Sequence, residues 1–289
     1  MKFWLDFLNP SIFRTRARYP ERTGAMNNLH HPLTFVPTMG ALHRGHESLI
    51  EIARKISDEV LVSVFVNPLQ FDSQEDLENY PRSQATDTER ALAAGATQVW
   101  FPTNTEIYPG DIERLNSGEL GTKYEGASRS GHFDGMLTVV KRLFDLTQPE
   151  SAIFGEKDFQ QLFLVRQMVA QLNLPINIVA APLIRDDDGL ALSSRNVRLD
   201  DDARASALVI SRALRLARSE ETLARQRATL YEILATEPSF TLDYVEIIDE
   251  ISFSPAVTEE TQNRALVAGW VNGIRLLDNM VMNSRKVGQ

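Results

Sequence analysis

Five short apolar runs, at residues 33–36, 59–66, 96–101, 151–154 and 176–181, alternate with stretches whose apolar residues fall at helical spacing. That alternation constrains the fold more than any other feature of the chain. Parallel strands cannot be joined by a tight turn. Strand, helix and strand repeated from residue 33 to residue 181 therefore predict an open parallel sheet of the Rossmann-like, doubly wound α/β type. The run at 59–66, EVLVSVFV, is apolar apart from Glu59 and Ser63, as a strand buried on both faces requires. Helices are expected from Glu47 on and over 86–94, 133–146 and 158–172; Gly95 is placed to end the second, and Asn173-Leu174-Pro175 turns the chain after the last. In such sheets ligands bind beyond the carboxyl ends of the strands.

Past residue 181 the pattern changes. Arg185-Asp186-Asp187-Asp188-Gly189 reads as a turn, residues 200–236 hold two helical stretches behind the cap-like Asp200, and strand-like runs follow at 242–248, 264–271 and 274–277. Asn272-Gly273, between the last two, is the residue pair of a tight hairpin. Helices followed by antiparallel strands predict a smaller α+β domain, with the chain divided into residues 1–183 and 184–289. The opening segment, with Phe3, Trp4, Phe7 and Phe13, fits either a helix or a subunit-interface patch.

A net charge of -9 argues against a nucleic-acid partner, so an anionic ligand has to be met by local positive groups. The absence of cysteine excludes disulfides, thiolate metal sites and a cysteine nucleophile. Asp6 and Pro10 break the apolar N-terminus too early for a signal peptide or a membrane span, which makes the cytoplasm the expected location and a membrane partner unexpected.

The segment FVPTMGALHRGH, residues 35–46, carries two histidines where the first strand gives way to the first helix. Gly40 and Gly45 let the backbone approach a ligand closely, and a helix start offers unpaired N–H groups and the positive end of the helix dipole. His43 and His46, three residues apart, would face the same anion with a ring N–H each. A metal pair and a plain surface cap fit the local sequence too. Against metal stand the spacing, since helical zinc pairs favour four residues, and the lack of cysteine beside only 5 histidines.

Four further segments carry more polar and glycine punctuation than structure needs. Asn67-Pro68-Leu69-Gln70-Phe71 follows the second strand and offers amide donors and acceptors to a small polar ligand, or simply a turn. Gly131-His132-Phe133-Asp134-Gly135 opens a helix. Phe154-Gly155-Glu156-Lys157-Asp158 leads into another, where Lys157 is out of place unless it answers an anion. In Leu192-Ser193-Ser194-Arg195-Asn196, two hydroxyls and a guanidinium make a phosphate-gripping set; neither serine lies in a G-x-S-x-G elbow, which disfavours a Ser-His-Asp hydrolase.

Taken in order, FVPTMGALHRGH, FVNPLQF, GHFDG, FGEKDFQQ and LALSSRN closely resemble the pantothenate synthetase (pantoate-β-alanine ligase) family, as do Ala268-Gly269-Trp270 and Arg275-Leu276-Leu277-Asp278-Asn279 near the end; only the first thirty or so residues look unlike it. The resemblance implies a HIGH-type nucleotidyltransferase, a homodimer, that condenses pantoate with β-alanine at the expense of ATP. It implies that His43 and His46 bind phosphate oxygens, that Lys157 sits on the α- or γ-phosphate, and that Ser193, Ser194 and Arg195 close over the triphosphate. Gly155, Asp158, Ile184, Leu192 and Met39 would lie around the rest of ATP. Pro37, Met39, Phe65, Val139 and Val140 would wall the pantoate pocket, Gln70 and Gln161 would hook its oxygens, and Asn67 and His132 would stand on the β-alanine side. Ser130 replaces a common proline, Met136 a usual valine, and the family's acidic cluster is reduced to Asp87 and Glu89, so Mg2+ is expected to ride mainly on the triphosphate. The rivals are another adenylyl transferase of the same superfold and a silent nucleotide-binding regulator; the second would be expected to have lost a histidine, Lys157 or Arg195.

Overall fold

The computed structural model describes residues 30–71 and 74–282, so the aromatic segment with Phe3, Trp4, Phe7 and Phe13 lies outside the described residues. Those residues form two compact units. One comprises the chain up to Glu156 together with Gln160–Pro182, the other Lys157–Phe159 and the chain from Leu183 on. The larger carries β1 (Leu33–Thr38), α1 (Arg44–Ile56), β2 (Glu59–Val64), α2 (Gln74–Glu78), α3 (Gln84–Ala93), β3 (Gln98–Trp100), α4 (Asn104–Ile107), α5 (Glu125–Ser128), α6 (His132–Thr147), β4 (Ser151–Gly155), α7 (Phe159–Gln171, from Gln160 on) and β5 (Asn177–Ala181).

Its sheet is parallel throughout, in the order β3-β2-β1-β4-β5, the Rossmann-like order with a switch point between β1 and β4. Alternation along each strand sorts side chains to two faces. Val36 of β1 and Ile153 of β4 join Leu49, Ile50 and Ala53 of α1 in one core. Their neighbours Phe35 and Phe154 turn to the other face, where each meets Phe144 of α6 edge-on at 6.4 Å.

The apolar run that was expected to end before Pro37 continues as strand through Thr38. Thr38 C=O accepts from Phe65 N–H at 3.0 Å on the β2 side. Pro37, one residue earlier, therefore turns its hydrogen-free nitrogen toward β4, whose pairing with β1 has already ended at Phe35↔Ala152.

In the smaller unit α8 (Asp201–Arg218) and α9 (Leu223–Leu234) are followed by the antiparallel sheet β6 (Phe240–Asp249), β7 (Asn263–Val271) and β8 (Ile274–Val281). Ala207, Ile210 and Leu214 of α8 share a core with Leu230 of α9, Val267 of β7 and Leu276 of β8. Asp200 caps α8, its carboxylate accepting from Ala203 N–H at 2.8 Å. Asn272 and Gly273 both take positive φ, 52° and 74°, as a two-residue type I′ hairpin demands.

Candidate active site

The loop from β1 to α1 is held by a buried carboxylate. Asp87 of α3, 1% exposed, accepts from Ala41 N–H at 3.2 Å and from Leu42 N–H at 2.7 Å. Gly40 passes so close that a Cβ there would lie 2.9 Å from Asp87 Oδ2 and 2.9 Å from Val64, and its φ of +90° favours glycine independently. Asp87, read from the sequence as the remnant of an acidic cluster, is thus spent on backbone.

α1 begins at Arg44, so His43 is its N-cap rather than a first-turn residue. His43 Nδ1 accepts from Gly45 N–H at 3.1 Å, and His46 Nδ1 accepts from His43 N–H at 3.3 Å. This is a capping box built from two imidazoles. Because each Nδ1 is an acceptor, each ring carries its proton on Nε2 and presents a donor from the helix end. The ring centroids are 4.1 Å apart, so the two imidazoles stand side by side at the helix start.

After β2, Asn67 caps the short 3-10 turn Pro68–Gln70, accepting from Leu69 N–H at 3.2 Å. Asn67 is 1% and Gln70 6% exposed. Asn67 Nδ2 donates to Gln70 Oε1 at 3.0 Å and to Gly135 C=O at 3.1 Å, and Gln70 Nε2 contacts Met39 Sδ at 3.1 Å. His132 Nδ1 donates to the Gln70 C=O at 2.7 Å while its Nε2 accepts from Arg129 at 3.2 Å, an assignment fixed because a guanidinium only donates. Asn67 and His132, expected on the β-alanine side, therefore commit these atoms to holding Gln70. Pro37 and Met39 flank Thr38 and are half-buried; Phe65, Val139 and Val140 are buried.

In the pair Gln160-Gln161 the two residues diverge. Gln160 is 4% exposed and donates to Leu120 C=O at 2.8 Å and Lys123 C=O at 2.9 Å, whereas Gln161 is half-buried on α7. Tyr108, which no motif marks, donates its hydroxyl to Asn67 Oδ1 at 2.6 Å. Burial pushes the pKa of that hydroxyl well above its ordinary value, against the pull of Arg114. Gly155 ends β4, half-buried.

The smaller unit holds the remaining candidates. Lys157 is half-buried, with Nζ 3.5 Å from Asp158 Oδ1, and its C=O accepts from Asn279 Nδ2 at 2.9 Å. Phe159 carries the Arg264 guanidinium 4.1 Å from its ring centre and stacks with Phe253 at 5.9 Å. Leu192 N–H donates to Ile184 C=O at 3.0 Å, bringing those two residues together across the Asp186–Gly189 turn. Ser193 caps the 3-10 turn Ser194–Arg198, accepting from Arg195 N–H at 3.3 Å, and so places Ser194 and Arg195 side by side. Arg185 grips Asp278 with two bonds, at 2.6 and 2.7 Å; burial nonetheless pushes that carboxyl up.

The family model for pantoate-β-alanine ligase matches residues 11–281. The match begins well before residue 30, so the likeness extends further toward the N-terminus than the motifs alone indicated. A pantothenate synthetase of Acidothermus cellulolyticus is 46% identical over 94% of this chain and 92% of its own length. The crystal structure of pantothenate synthetase from Thermus thermophilus superposes with a TM-score of 0.86 at 42% identity, over 89% of this chain and 96% of that one. That of the Francisella tularensis pantoate-β-alanine ligase, complexed with β,γ ATP and β-alanine, gives 0.76 at 34% identity, over 89% and 93% of the two chains. The chain belongs to the pantoate-β-alanine ligase family.

Proposed function

We propose that the chain makes pantothenate in two steps. Pantoate first attacks the α-phosphorus of ATP through its carboxylate, giving pantoyl-adenylate and pyrophosphate. The β-alanine amine then attacks the adenylated carbonyl and AMP leaves. Neither step needs a covalent enzyme intermediate, so the protein's work is to align the groups and neutralise charge developing on the phosphates. The observation that carries this reading is the pair of histidines capping α1, their Nε2 donors set by the caps, in a chain that matches the family from residue 11 to residue 281.

In this reading His43 and His46 take phosphate oxygens, and Lys157, Ser193, Ser194 and Arg195 act on the triphosphate. Met39, Gly155, Asp158, Ile184 and Leu192 serve the remainder of ATP. Gln70 and Gln161 hook pantoate against Pro37, Met39, Phe65, Val139 and Val140, while Asn67 and His132, which hold Gln70, stand on the β-alanine side. Mg2+ enters with the triphosphate as part of the substrate, since it keeps several waters and few protein ligands. The setting as a cytoplasmic homodimer rests on family resemblance.

The adenylate route predicts that pantoate alone supports exchange of labelled pyrophosphate into ATP, and that AMP accumulates once β-alanine is added. No exchange at saturating substrates sinks it. Lys157→Ala and His46→Ala are each expected to slow adenylate formation by roughly 10² or more, the usual loss for a transition-state donor. Near-normal exchange in either removes that residue from the machinery.

A further inference from the structure

The Tyr108 hydroxyl and the Leu69 N–H both donate to Asn67 Oδ1, at 2.6 and 3.2 Å. An amide oxygen has two lone pairs, and these donors occupy both. Asn67 Nδ2 is thereby turned toward Gly135 C=O and Gln70 Oε1, at 3.1 and 3.0 Å. Gln70 has to meet that donor with its oxygen, which leaves its Nε2 on the opposite side. One hydrogen of Nε2 goes to Met39 Sδ at 3.1 Å, and the second remains for a ligand oxygen. Tyr108 is itself firmly placed. Arg142, 3% exposed on α6, donates to the C=O groups of Ile107 and Glu106 at 3.0 and 3.3 Å, just where α4 ends and Tyr108 follows. The ring meets Phe65 edge-on at 6.2 Å.

We propose that Tyr108 is a positioning residue for pantoate recognition: acting through Asn67, it fixes the Gln70 side-chain amide so that the pocket is offered N–H and not C=O. This rests on the reading that Gln70 binds pantoate. The pantoate oxygen met by Gln70 is taken to be that of the carboxylate, which only accepts, so a reversed Gln70 would set oxygen against oxygen. The hydroxyl suits the task because a phenol is a donor throughout the neutral range, and burial moves its pKa further above that range.

Steady-state kinetics on three variants test the relay. Tyr108→Phe removes the donor and keeps the ring against Phe65. It is expected to raise KM for pantoate about tenfold with KM for ATP within about twofold, the loss of one ordered hydrogen bond. Asn67→Asp still accepts from Tyr108 and Leu69 but puts an oxygen where Nδ2 stood, turning Gln70 over; the expected rise is roughly 10² or more, larger because oxygen then faces oxygen. Should that variant not fold, Tyr108→Phe decides alone. Gln70→Ala is the reference. If it raises KM for pantoate while Tyr108→Phe changes neither KM, or raises both equally, the relay is overturned. If Gln70→Ala leaves KM for pantoate unchanged, the pantoate reading fails and takes the relay with it.

Discussion

At the residue scale His43 has two separable jobs. Its Nδ1 accepts the Gly45 N–H that would otherwise be orphaned, which puts the ring proton on Nε2, the donor proposed for a phosphate oxygen. Asparagine caps helices as well as any residue and has no equivalent of Nε2. His43→Asn is therefore expected to keep stability within about 0.5 kcal/mol of the parent, whereas His43→Ala loses about 1 kcal/mol with the cap. Both should slow pyrophosphate exchange by roughly 10². Denaturant unfolding alongside the exchange assay checks this; a His43→Asn protein with parental exchange would mean that the cap alone matters. The histidines were legible because chemistry and spacing share one short segment. Gln160 and Gln161 were not separable as structural and available residues, since only the 120–125 backbone distinguishes them. Tyr108 left no signal at all, being 41 residues from the amide it orients. Asn67 and His132 were found, but the partner that absorbs their polar atoms, Gln70, became evident only once α6 lay beside the Pro68–Gln70 turn.

At the scale of elements, that approach depends on Gly135. A Cβ there would sit 2.1 Å from Leu69 C=O, a distance no side chain tolerates, so alanine has to push α6 off the turn. In an ordinary helix glycine to alanine stabilises by about 0.5–1 kcal/mol. Here the overpacking reverses the sign, with a net loss of about 1–3 kcal/mol expected. KM for pantoate should rise too, because Asn67 loses the Gly135 C=O. Urea unfolding of Gly135→Ala reads the first effect, and a protein as stable as the parent would contradict the close packing. The long elements were legible because a buried face repeats along them: helices expected at 133–146 and 158–172 are observed at His132–Thr147 and Phe159–Gln171. The four-residue helices Asn104–Ile107 and Glu125–Ser128 are too short to carry a period. Pro37 misled for a reason specific to its place: proline ends a strand only where its missing N–H would have been used.

At the scale of the whole molecule, the placement of Lys157–Phe159 with the smaller unit was invisible in the sequence, because their partners there are distant in the chain: Asn279, 122 residues from Lys157, and Arg264 and Phe253 around Phe159. Contacts of a different kind, those made by carboxylates, set how the protein meets acid. For Asp188 partial burial works to raise the pKa, but the Leu190 N–H and Arg204 hold it below the usual range; Asp249, opposed by burial in the same way, is held down by the Ser252 N–H and neighbouring hydroxyls. A carboxylate depressed in the folded state is protonated first in the unfolded chain. Its stabilisation is present above the unfolded pKa, near 4, and is lost as pH falls through the folded value. Asp145 works the other way, since burial raises it against the pull of Lys141. The native state then takes up that proton first, and acid adds stability. Asp278 is pushed up by its burial as well, but with Glu150, held low by the Leu33 N–H and His31 against its own burial, the depressed carboxyls Asp188, Asp249 and Glu150 outnumber Asp145 and Asp278. Tm is therefore expected to fall between about pH 5 and pH 3 at fixed ionic strength. Asp188→Asn should flatten that fall and Asp145→Asn should steepen it. Calorimetry across the window tests both signs at once: a parent Tm that holds or rises toward pH 3, or two variants that shift the slope in the same direction, would show that these contacts do not govern the acid response.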